Sequence, residues 1–221
     1  MSGFHDFPPP VTLPDELALL LHRADGRPAP GRPDLLIAAA ELGELALRDR
    51  VELTGTRVAV LDPRGTGIDW ADELLGLLVR RAGPRGRPVE LTGLLTRRLG
   101  RFRAHRELLV RQGALRREPY RLLGFIPDDR FHPVPPAREA LVERVRAGGR
   151  RAPEDVRTVV LCALVHVAGI ARSLGCDRDE RAALASLAKG EGLGEAVRRR
   201  LAAVTAVPVV TAAAAAGAGG R

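Results

Sequence analysis

A chain of 221 residues with 45% apolar residues can bury one sizeable core, and 35 basic against 27 acidic side chains leave a formal charge of +8. Cys162 and Cys176 are the only cysteines and form no CxxC or spaced Cys/His set, which excludes a disulfide framework and a structural zinc as organising devices and leaves Cys162 as a buried structural thiol. The apolar run from Val156 to Ile170 is too short to span a bilayer, and MSGFHDFPPP lacks the basic start and apolar core of a secretory leader, so a soluble, cytoplasmic chain is expected.

Residues 1–10 are a Pro-rich, disordered lead. TLPDELALLLHRADG reads as a helix: Thr12 caps it, Pro14 sits in the first turn, Asp15 and Glu16 suit the positive end of the dipole, and Gly26 stops it. RPAPGRP is a loop, and DLLIAAAELGELALRDR is a second helix with a broad apolar face. VELTGTRVAVLD is a small hairpin turning at Thr54, Gly55 and Thr56. GIDWADELLGLLVRRAG is a helix capped by Asp69; PVELTGLLTRRLG and RFRAHRELLVRQG are two more. ALRREPYRLLGFI is a second hairpin with its tip near Glu118, Pro119 and Tyr120. PAREALVERVRAGG is a helix. APEDVRTVVLCALVHVAGIARSLG reads as one long helix, apolar on nearly every side and therefore central. DRDERAALASLAKG and LGEAVRRRLAAVTA complete the set, ahead of a low-complexity tail. The expected fold is mainly α: a single compact multi-helix domain over 11–207 around a central apolar helix. Two small β-hairpins, one of them protruding, decorate it, and a disordered Ala/Gly tail fills 208–221.

The charge is not spread evenly. From Arg97 to Arg121 there are nine arginines against Glu107 and Glu118, a local excess of seven beside the whole chain's eight. Arg80, Arg81, Arg85 and Arg87 precede it. Such a field attracts phosphates, of nucleic acid or of an anionic membrane; a solvated helix face is the alternative. At its edge Leu122, Leu123, Phe125 and Ile126 crowd into YRLLGFIPDD. A short apolar tongue beside a basic field fits a peripheral membrane contact, in which apolar insertion and charge act together. It also fits packing on the core or on a second subunit.

Catalytic signatures are missing. There is no nucleophile elbow, no phosphate-cradling Gly loop and no HExxH, and DPRGTG lacks the following GK[ST]. His22, His105, His132 and His166 have no motif partners, and His166 reads as a satisfied core histidine. The chain is therefore read as non-enzymatic, with no cofactor and no metal. An alternative is a winged-helix-like DNA-binding module using helix 101–112, with Arg101, Arg103, Arg106 and Arg111, and the 114–126 hairpin. From Arg97 to Arg121 Phe102 and Tyr120 are the only aromatics and there is no Asn, which makes nucleic acid the less favoured partner.

VTLPDELALLL, LGELALRDRVEL, LLVRQGAL with its following hairpin, and AKGEGLGEAVRRRLAAV occur in the order seen in the Golgi phosphoprotein 3 family. The chain resembles its bacterial, especially actinobacterial, members from about residue 11 to about 207. ELALRDR (Glu44 to Arg50) and LVRQG (Leu109 to Gly113) are the sharpest matches. The resemblance implies a helical domain that binds phosphatidylinositol 4-phosphate, an apolar hairpin for membrane attachment and self-association, and adaptor work rather than catalysis. The family's headgroup site uses a tryptophan in the loop after the first helix, where this chain has RPAPGRP. Its arginine early in the next helix falls on Ala38. Its two basic residues at i and i+3 fall on Leu99 and Phe102 in ungapped register, and on Arg98 and Arg101 after a one-residue shift.

The resemblance and the charge pattern together give the expected site. Arg98, Arg101, Arg103 and Arg32 bind an anionic lipid headgroup, with Arg98 and Arg101 as exposed residues whose removal leaves the fold intact. Tyr120, Leu122, Leu123 and Phe125 form the membrane or self-association hairpin. The expected partners are an anionic membrane surface, further copies of the chain through the hairpin, and a membrane-protein client. The expected location is the cytoplasm, peripheral at the inner face of the membrane.

Overall fold

The computed structural model describes residues 12–122, 125–192 and 201. The expected lead and tail, and most of the expected LGEAVRRRLAAVTA helix, lie outside them; Leu201 is buried. Eight α-helices and two antiparallel sheets make up the described chain, in the order α1 (Leu13–Leu21), α2 (Pro33–Leu47), β1 (Val51–Thr54), β2 (Arg57–Val60), α3 (Asp69–Ala82), β3 (Val89–Glu90), α4 (Leu91–Leu95), α5 (Arg101–Arg111), β4 (Leu115–Leu122), β5 (Ile126–Pro133), α6 (Pro135–Arg150), α7 (Val156–Val167) and α8 (Arg178–Lys189). The mainly α architecture with two β-hairpins is the one the sequence implies.

The core forms where helices are apolar on every side. Every residue of α1 is buried, and α7 buries an unbroken run from Thr158 to Val165. Helix α7 packs against α1, α2, α6 and α8, which makes it the central element. Caps set the registers. Thr12 N–H donates to Asp15 Oδ2 at 3.2 Å, and Asp177 and Glu180 exchange reciprocal bonds of 2.8 and 2.9 Å at the start of α8. Glu44, fully buried in α2, accepts the Leu13 N–H at 2.7 Å and ion-pairs with Arg48 and Arg157, each at 2.8 Å. It thereby ties the otherwise unpaired N-terminus of α1 to α2 and α7.

Four expectations change. The long C-terminal helix stops at Val167, because Gly169 takes a left-handed φ of 68° and closes the helix; a 3-10 turn, Ala171–Leu174, follows. His166 at that end is exposed, so it is not a core histidine. The expected fourth helix splits: Val89 pairs with Val58 as a third strand of the β1-β2-β3 sheet, leaving one helical turn in α4. Ile68, not Asp69, caps α3, and Asp72 fixes the preceding loop by accepting from Thr66 and Gly67.

The second hairpin is longer than expected and turns elsewhere. Pro119 pairs with Asp129 in mid-strand and Leu122 with Ile126, so the strands run on through Glu118 to Tyr120, where the tip was expected. A two-stranded ribbon has two free edges, so a proline costs it no obligatory ladder bond.

Candidate functional site

Helix α5 carries most of the basic stretch, yet its inward face holds Phe102, His105 and Leu109 at helical spacing. Behind them, a charge cluster joins three helices. Glu41, in mid-α2, is fully buried. The Arg98 Nε donates to its Oε2 at 2.9 Å, and the Arg101 Nε donates to its Oε1 at 2.7 Å. His105 Nε2 lies 3.1 Å from the same Oε1, while its Nδ1 lies 2.6 Å from Asp15 Oδ1. The Trp70 ring meets the imidazole edge-on at 5.3 Å.

Burial alone would pull the His105 pKa down, but the hydrogen bonds to Asp15 and Glu41 and their charges prevail, and it ends above the ordinary value. Burial pushes the Glu41 carboxyl up, yet the His105 bond and the Arg98 and Arg101 charges hold it below the usual range. Both imidazole nitrogens therefore face carboxylates, and neither is left to accept a proton from a substrate. The cluster is an electrostatic staple between α1, α2 and α5. Among the described residues no group of three or more His, Cys, Asp or Glu could hold a metal ion, and no helix is long and apolar enough to cross a membrane.

The four expected headgroup arginines are not brought into one pocket. Arg98 is only 7% exposed and turned onto Glu41, which corrects its reading as a surface residue. Arg101, its side chain 15% exposed, borders a cleft of about 580 Å³ with Trp70, Glu73 and Arg111. Arg32 is exposed beside the first turn of α2, on a different groove of about 380 Å³ lined by Leu35, Leu95, Thr96 and Leu99. Arg103 is exposed, with no ion pair among the described residues. In the ungapped register, Ala38 is buried, Phe102 stacks on His22 at 5.0 Å between centroids, and Leu99 is exposed. Of the arginines that the winged-helix reading needs, Arg101 is held by Glu41 and Arg106 lies 3.8 Å over the Phe131 ring.

The hairpin has a fixed base and a free end. Phe131 is buried, and its N–H donates to Gly26 O at 2.9 Å. Gly26 has φ 76°, and a Cβ there would meet His132 Nε2 at 2.8 Å, so the loop requires glycine. Tyr120 is half-buried, with the Arg130 guanidinium 3.7 Å over its ring. At the tip Phe125 is 68% exposed and Ile126 42%. Leu123, and the side chain of Leu122, lie outside the described residues.

The base of the ribbon packs on α5. Ala114 N–H donates to Leu109 O at 2.9 Å, and Arg106 covers Phe131, whose strand partner is Arg117.

The sequence reading missed Asp15, Glu41 and His105 as a unit. A signal was present: Glu41 interrupts the apolar run LLIAAAELGEL, and a carboxylate there needs a buried cationic partner. The family model for Golgi phosphoprotein 3 (GPP34) matches residues 13–204. No curated protein matches the chain significantly.

Proposed function

Because the chain belongs to the Golgi phosphoprotein 3 family, we propose that it is a non-catalytic, peripheral adaptor that rests on anionic membrane surfaces through its β4–β5 hairpin. The observation that carries this reading is the exposure of Phe125 and Ile126 at the tip of a ribbon whose base is firmly packed. A large apolar side chain on a projecting tip is stabilised when something apolar covers it. Arg121 on the ribbon and Arg103 on α5 are exposed and have no ion pair among the described residues, so they are free to meet lipid phosphates.

The headgroup preference follows from the charge cluster. Glu41 and Asp15 offset most of the charge of Arg98, Arg101 and His105. Phosphate contact then falls to the exposed arginines, Arg32 and Arg103 among them, which favours a general anionic surface over one inositol phosphate geometry. Self-association through the tip would cover the same residues, so oligomer and membrane compete for one surface. A membrane-protein client is the adaptor's cargo in this reading.

The test is co-sedimentation with phosphatidylserine-containing vesicles. Wild-type protein pellets with them and the Phe125→Ser, Ile126→Ser double variant stays in the supernatant. Equal pelleting of the two proteins overturns the role of the tip.

A further inference from the structure

The most exposed large apolar side chain among the described residues is not in the hairpin. It is Leu99, 78% exposed, in the loop between α4 and α5. We infer that the Leu99 loop is a second apolar anchor, entering an anionic bilayer together with the hairpin; this rests on the membrane reading above.

Two observations carry the inference. The first is how the loop is held. Arg98 turns inward and is pinned on Glu41 by contacts of 2.9 and 2.8 Å, while its neighbours Arg97 and Leu99 stay exposed. The buried ion pair thus fixes an outward-facing leucine and costs it no ordering on contact. The second is charge complementarity. Arg32, Arg97 and Arg103 surround the loop in sequence and along the groove, are exposed, and have no ion pair among the described residues. The acid of that groove, Asp34, already accepts the Phe102 N–H at 2.8 Å and so caps α5. An exposed leucine flanked by arginines suits an anionic surface, where apolar insertion and charge add.

Leu99 borders the groove lined by Leu35, Leu95 and Thr96 yet stays 78% exposed. An anionic bilayer covers such a leucine without any new fold. A second copy of the chain is the competing occupant.

Leu99→Ser and Leu99→Trp test the inference on phosphatidylserine-containing vesicles, with Phe125→Ser as reference and melting curves to establish folding. Leu99→Ser is expected to weaken binding about tenfold, equivalent to about 1.4 kcal/mol. Leu99→Trp is expected to keep binding, with its emission quenched by brominated acyl chains beyond any quenching of the wild-type Trp70. If Leu99→Ser binds like wild type while Phe125→Ser is weakened, the second anchor is wrong and the hairpin reading stands. If Leu99→Ser changes the oligomeric state and leaves vesicle binding intact, the occupant is another copy and the inference falls. If wild-type protein binds no vesicle, the inference and the membrane reading fall together.

Discussion

Glu41 gathers Arg98, Arg101 and His105 on one fully buried carboxylate. Replacing it with glutamine would strand Arg98 in the interior without a counter-charge. Glu41→Gln is therefore expected to destabilise the domain by about 3–5 kcal/mol, read from the urea midpoint, whereas Arg103→Ala on the open face changes it by less than about 0.5 kcal/mol. The cluster also sets a pH window. His105 holds its proton more tightly folded than unfolded, so its stabilisation is complete below the ordinary 6.5 and fades as pH rises through the higher folded value. Glu41 has the opposite sense: its contribution is present above 4.5 and fades as pH falls through the lowered folded value. Stability measured against pH is expected to decline on the alkaline side of neutrality, and His105→Gln is expected to remove that decline. An unchanged alkaline limb in the variant would mean that His105 is neutral in the fold. The sequence put Arg98 and Arg101 at the right spacing but could not say where they point, because Glu41 lies 57 residues from Arg98. Spacing reports which residues share a helical neighbourhood; the partner that claims them comes from another element.

Helices α1, α2, α5, α6 and α8 were legible in the chain from their sequence pattern. The errors fell where two local signals competed. Pro119 looked like a turn, but cross-strand pairing carried it into mid-ribbon. The period of α7 ran on past Val167, but Gly169 ended it. The two motifs that gave the family away prove to be fold-fixing. Glu44 of ELALRDR ties α1 to α2, and Gly113 of LVRQG takes φ 75° to turn α5 into the hairpin. They therefore say much about architecture and little about the ligand. The hairpin's two phenylalanines separate scaffold from contact surface. Phe131 is 2% exposed, so Phe131→Ala is expected to cost about 3–5 kcal/mol. Phe125 is 68% exposed, so Phe125→Ser is expected to move Tm by less than about 2 °C. A large fall in Tm for Phe125→Ser would make the tip ordinary core.

At the scale of the molecule, a charge of +8 is distributed with a purpose that composition alone does not reveal. Part of the basic stretch is spent inside, on Glu41 and the Phe131 ring, and part is left exposed, Arg97 and Arg103 near Leu99 among it. In the proposed membrane contact two attractive terms act together, and they respond differently to salt. The electrostatic term is screened within about 8 Å at physiological ionic strength; the apolar term is not. The measurement that tests this account most directly is a salt titration of wild-type binding to phosphatidylserine-containing and to pure phosphatidylcholine vesicles. The account predicts binding to the anionic vesicles that weakens with salt to a residual level, together with far weaker binding to the neutral ones. Equal binding to both, or binding to neither, would contradict it.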